Sequence, residues 1–149
     1  MTSDILKQSF PCFRDLPPDE LSGVMHFFDF VSLTPGDELW VNDDNKSYVG
    51  FILNGKIGVK KQLKDSKREV ILGVYTAGSM VGELSLLSDK PSSVSAKAFE
   101  PTDMIVLHNC NFQEMLDVEP MIGLSLLKHL FWCTSKRLDQ SYERIASIF

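Results

Sequence analysis

Six residues stand close together in a pattern suited to binding chemistry: Gly82, Glu83, Leu84 and Ser85, then Ser92 and Ser93 beyond Pro91. A glycine turn opening into a short helix presents backbone N–H groups that have no partner in the helix. Such a turn suits a phosphate carried on a sugar. Glu83 admits two roles. Its carboxylate can accept a hydrogen bond from a sugar hydroxyl, or it can sit favourably at the start of the short helix, where an acid contributes about 0.3–1 kcal/mol. Ser92 and Ser93 each offer one hydroxyl donor and no charge. A guanidinium would give a phosphate a bidentate, charge-assisted contact. The cations near in sequence are Lys90 and Lys97. Lys97 alternates with Ala96 and Ala98 and is expected to point away from the apolar face. A tight loop with no ligand is the competing reading of the whole stretch.

Other chemistries lack their residues. No Gly-x-Ser-x-Gly element or paired carboxylates with a base are present, so an enzyme is not expected. His108 and Cys110 have no second ligand pair at usable spacing, so no metal site is expected. His26 and His129 fall in helical segments and read as structural. Three cysteines, Cys12, Cys110 and Cys133, are far apart and odd in number, which argues against a disulfide framework and for a reducing cytoplasm. A net charge of −5 argues against a nucleic-acid partner. No apolar run has the length of a membrane span, and the N-terminus lacks signal-peptide blocks.

The elements that would hold the turn fall into three regions of one domain, 1–149. Residues 1–28 read as a helical segment. Pro17 and Pro18 before Asp19 and Glu20 mark a helix start, with Leu21, Val24, Met25 and Phe28 facing a core. Residues 29–108 hold short strands, near 29–33, 38–42, 49–53, 56–62, 68–75, 94–99 and 104–108, separated by Gly, Pro, Asn and Asp. Asn54-Gly55 predicts a tight hairpin. The fold class is mainly β with flanking helices. Residues 109–149 turn helical, with Asn109 or Asn111 as a cap and Pro120 opening a long final helix. Leu124, Phe131, Leu138 and Ile145 recur every seven residues, with Leu127, Thr134, Ser141 and Ile148 three residues later. That seam predicts a homodimer through the C-terminal helix, with packing of the helix on its own domain as the alternative. The basic run 60–68 reads as a solvated hairpin tip.

The order of these features resembles the cyclic-nucleotide-binding domain, the sensor module of catabolite activator protein and of protein kinase A regulatory subunits. The residues that carry the resemblance are PGDELW at 35–40, GFILNGKIGV at 50–59, AGSMVGELSLLSDKPSSVSAKA at 77–98 and FQEMLDVEPMIGLSLLKHL at 112–130. The resemblance implies an antiparallel, jelly-roll-like β-roll with an N-terminal helix, a short helix and a long C-terminal helix. It implies Gly82 and Glu83 on a ribose, and Leu84, Ser85, Ser92 and Ser93 on a cyclic phosphate such as that of cAMP or cGMP. Ser92 stands where the family's pattern has arginine. The resemblance implies a stand-alone, cytoplasmic regulatory domain in signal transduction that senses a cyclic nucleotide weakly or atypically and acts on an output protein the sequence does not name. A dimerisation or scaffold module with a degenerate or empty pocket is the alternative; a small cupin would need a His/Glu metal set. Thr134 has two readings: a hydroxyl reaching a purine edge from the dimer helix, or a polar seam residue that fixes register.

Overall fold

The computed structural model describes residues 2–40, 47–88 and 92–149. Three short helices, α1 (Thr2–Ser9), α2 (Pro11–Arg14) and α3 (Pro18–Val24), precede eight strands, and two helices, α4 (Asn109–Val118) and α5 (Pro120–Ala146), follow them. The strands are β1 (Phe28–Leu33), β2 (Glu38–Trp40), β3 (Tyr48–Asn54), β4 (Lys56–Gln62), β5 (Glu69–Thr76), β6 (Met80–Val81), β7 (Ser95–Ala98) and β8 (Thr102–His108). They form two antiparallel sheets, in the orders β1-β8-β3-β6 and β2-β7-β4-β5. The mainly β roll with flanking helices is as the sequence predicts.

Both faces of β3 and β8, in the middle of the first sheet, are buried, which explains their continuous apolar runs, while β1 at its edge is buried only at Phe28. Along β3, Val49, Phe51 and Leu53 face the helices, while Ile52 faces the second sheet. Along β8, Ile105 and Leu107 take the helix side, and Met104 and Val106 the sheet side. The helix side is aromatic. Phe51 meets Phe10, Phe13 and Phe28 with ring centroids 5.2, 5.9 and 5.8 Å apart. The space between the sheets is aliphatic and holds Leu39, Ile57, Ala96 and Ala98. Small alanines on β7 let the sheets close.

Several local expectations are corrected. Asn54-Gly55 is not a hairpin, because β3 pairs with β6 and β8 while β4 pairs with β5 and β7. It is a corner where the chain leaves one sheet for the other. Gly55 has φ +96°, and a Cβ there would lie 2.5 Å from the Pro101 carbonyl oxygen, so only glycine fits. Asn109 and Asn111 do not cap α4, whose N-cap is His108. Their amides instead donate to the carbonyls of Leu86 and Phe27, pinning α4 to the roll. The first helical segment is three helices, and Met25–Phe27 is a separate 3-10 turn that brings Phe28 into β1. The predicted strand at 38–42 is described through Trp40, and its last two residues lie outside the described residues.

The long helix has an anchored beginning. Pro120 occupies its first turn, and Gly123 lets it close on Leu116 of α4. Ile122, Leu126 and Leu130 are buried in the helix-side core. Beyond Leu130, no described residue of α5 is buried.

Candidate functional site

A groove of about 1320 Å³ runs between β5, the Met80–Leu84 segment and the second half of α5. Its floor begins at β6, a two-residue strand held by Gly50 and Phe51 of β3. The chain then turns at Gly82, with φ +82° and ψ +13°, a left-handed conformation that favours glycine. A 3-10 turn, Glu83–Ser85, follows.

The polar centre of the groove is a contact between residues 54 positions apart. Arg137, on α5, donates from Nη1 to Oε1 of Glu83 at 2.5 Å. Its Nη2 donates to the carbonyl oxygen of Met80. The guanidinium also lies 4.3 Å from the centre of the Tyr75 ring on β5. The side chains of Arg137 and Glu83 are 24% and 11% exposed, so solvent screens the pair little. Arg137 therefore joins α5 to β5, β6 and the glycine turn by an ion pair, a backbone hydrogen bond and a cation–π contact.

The expected site residues are distributed around this centre. Leu84 is exposed and borders the groove. Ser85 lies in the 3-10 turn, and its side chain falls outside the described set. Ser92 is buried, and its hydroxyl donates to the Val94 carbonyl at 2.9 Å and accepts from the Val94 N–H at 3.4 Å. That hydroxyl closes its own turn. Ser93 is exposed on the groove's lip. Thr134 lines the groove, with its hydroxyl donating back to Leu130 O at 2.9 Å. Lys90 and Pro91 lie outside the described residues. Lys97 stands between Ala96 and Ala98, which are buried between the sheets, so its side chain takes the outer face as expected.

Sequence reasoning missed Arg137 and Tyr75. The signal for Arg137 was present in the stripe Leu127, Leu130, Thr134, Arg137, Ser141. These residues follow helical spacing, and each is at least half-buried. An arginine on the domain-facing side of a helix calls for an acid opposite it. The same stripe corrects the predicted seam. Leu127, Thr134 and Ser141 face the helix's own domain, while Ile148 of the same series and the row Leu124, Phe131, Leu138 and Ile145 stay exposed. Tyr142 and Phe149, four residues beyond Leu138 and Ile145, are the exposed companions of that outer row.

The family model for the cyclic nucleotide-binding domain matches residues 30–119. The chain belongs to that family. It is 24% identical over 117 residues to the cyclic AMP receptor protein of Thermus thermophilus, covering 78% of this chain and 53% of that protein. The chain thus spans about half the length of that curated relative. A cyclic nucleotide-binding domain from Methylobacillus flagellatus superposes with a TM-score of 0.83 at 26% identity, covering 91% of this chain and 75% of the other. The catabolite activator protein of Thermus thermophilus gives 0.75 at 21% identity, covering 93% and 62%. The family's roll and its long final helix are therefore both present. Within that frame Gly82 and Glu83 form the turn, and the guanidinium beside Glu83 comes from the helix.

Proposed function

We propose that this domain is a regulatory sensor for a small ligand of the cyclic-nucleotide type, held between the glycine turn and α5. The observation that carries this reading is the Glu83–Arg137 pair inside the groove. A sugar hydroxyl donating to Glu83 and a phosphate accepting from Arg137 would satisfy both members separately. The ligand would insert into a contact that now ties α5 to the roll. α5 would respond if the ligand binds the tied and untied arrangements with different affinity. Competition with a pair already formed, together with the uncharged Ser92, makes the binding weak. Gly82, Leu84, Ser93 and Thr134 border the same space, and with Ser85 of the 3-10 turn they are the remaining contacts of this reading.

In this reading residues 1–149 act as one unit, without catalysis and in the cytoplasm, and α5 pairs with α5 of a second copy through Leu124, Phe131, Leu138 and Ile145. No helix among the described residues is long and apolar enough to cross a membrane. The exposure of Phe131, at 74%, supports the pairing, since a large apolar row on a helix needs a partner.

A second reading has its own support. Glu83 and Arg137 already satisfy each other, and Ser92 closes its own turn. A scaffold of the same fold, with the pocket closed from within, would look like this. Calorimetric titration of cAMP, cGMP and cyclic dinucleotides separates the two. The sensor reading expects submillimolar binding to the wild type and weaker binding to Arg137→Gln. It expects Ser92→Arg to tighten binding by about tenfold to several hundredfold, the value of charge-assisted hydrogen bonds. Binding by Ser92→Arg alone would support the scaffold reading, and no binding by either protein would end the pocket idea.

A further inference from the structure

Cys12 and Cys133 are 121 positions apart (133 minus 12) and far from each other in sequence. The fold brings both to one core, near enough that charge on the Cys133 sulfur opposes charge on that of Cys12. Cys12 lies on α2, buried in the helix-side core, and α2 packs on α5. Cys133 packs against that same core from α5. It is the last α5 side chain to do so, since every later residue of the helix faces the groove or solvent. Its Sγ lies 3.7 Å from Nε2 of His129, one turn earlier. Cys133 also lines the groove, which is the side from which a small molecule would approach. Both cysteines are unpaired in this structure.

We propose that Cys12 and Cys133 form a reversible disulfide that pins α5 where it leaves the core. The oxidant is a low-molecular-weight disulfide entering through the groove. Cys133 passes its proton to His129 and attacks one sulfur, forming a mixed disulfide and releasing one thiolate, which takes the proton from His129. Cys12 then attacks the Cys133 sulfur and displaces the second small thiol, which leaves with the Cys12 proton. Two electrons pass from the protein thiols to the oxidant, which is reduced to two thiols.

Burial raises the Cys133 thiol, against the opposing charges of Arg137 and Lys136. It also raises the Cys12 thiol to about 12. Both are protonated at neutral pH, and attack therefore needs a proton acceptor. Burial keeps His129 below its usual value and hence neutral, the form that accepts a proton. Such a pair is slow to oxidise at rest and is exposed to the chemistry of whatever occupies the groove. The inference holds for a sensor and for a scaffold alike, because it uses the thiols and not the Glu83 contact.

The test incubates the reduced protein with oxidised glutathione, alkylates it, and maps its peptides by mass spectrometry. A Cys12–Cys133 peptide is expected, absent from Cys133→Ser, while the exposed Cys110 remains outside that bridge. The melting temperature should rise by about 5–15 °C, as closing a long loop constrains the unfolded chain. His129→Gln should slow formation at least about tenfold with the same endpoint, and added imidazole should restore the rate. A merely structural role for His129 would move the endpoint and resist rescue. Cys133→Ser replaces a half-buried side chain with one of similar size and should fold; Cys12→Ala is the second control. Cys133 stopping as a glutathione adduct, cross-linking through Cys110 alone, or both thiols still reduced after exposure would each overturn the proposal.

Discussion

The two halves of α5 carry similar apolar content and use it differently. From Pro120 to Leu130 the helix places Ile122, Leu126 and Leu130 in the core and leaves Met121 and Leu124 outside. From Phe131 onward the large apolar residues Phe131, Trp132, Leu138, Tyr142 and Ile145 are all exposed. What turns inward there, beyond Cys133, is polar: Thr134, Arg137 and Ser141. The first half is held by burial, which is non-directional and strong. The second is held by directed contacts, of Arg137 with Glu83, Met80 and Tyr75 and of Arg144 with the Leu72 carbonyl. One continuous helix thus joins a fixed part to a part whose position depends on a few polar atoms. That division suits a sensor, because a ligand competes with polar contacts far more easily than with a packed core.

The largest effect should come from the fixed half. Leu126→Ala should destabilise the whole domain by about 2–5 kcal/mol, measured by denaturant unfolding, because Leu126 is 1% exposed and its removal leaves a cavity. A loss confined to α5 would break the comparison. Glu83→Gln comes next. It should cost about 1–3 kcal/mol, the worth of a hydrogen bond to a charged partner left half-satisfied. Hydrogen exchange should quicken across 131–146 and stay slow across 120–130; equal quickening would mean that the halves are not independent.

A pH effect sharpens the boundary. Cys12 is pushed by burial from 9.0 to about 12 in the folded protein, so the unfolded chain loses this proton first as the solution turns alkaline. Stability from this group is complete below about pH 9. It should then fall by about 1.4 kcal/mol per pH unit until the folded thiol also ionises. Cys12→Ala should flatten that part of the curve, and an unchanged slope would show that α2 does not keep its thiol dry. The smallest effect on folding is expected on the outer row. Phe131→Asp with Leu138→Asp should alter unfolding of the monomer by less than about 0.5 kcal/mol. Sedimentation should nevertheless show it to be monomeric where the wild type pairs; an unchanged mass would remove this row as the dimer contact.

Legibility in the sequence followed the range of the forces involved. β3 and β8 were readable because burial on both faces leaves an unbroken apolar run, and the β4–β5 hairpin because its strands are neighbours in sequence. Asn54-Gly55 misled because a turn dipeptide reports local φ and not which strand pairs next. β6 was missed because two residues carry no period. The glycine turn was visible as a local pattern. Its arginine partner was not, since the contact spans 54 positions and exists only after the helix crosses back over the roll. The inward stripe on α5 held the clue, but a row of seven-residue repeats beside it drew the partner-facing reading first. Ser92 shows a further limit: a hydroxyl in a sequence does not say whether it already has a bond, and here it does.

The length of α5 turns the end of its anchorage into a pivot. The sixteen residues from Phe131 to Ala146 rise about 24 Å at 1.5 Å each. A tilt of roughly 10° about Leu130 would carry the far end of the helix sideways by about 4 Å. A displacement of well under one ångström beside Cys133 is therefore magnified severalfold at Ile145. A small adjustment near the pivot becomes a stroke large enough for a neighbouring surface to distinguish.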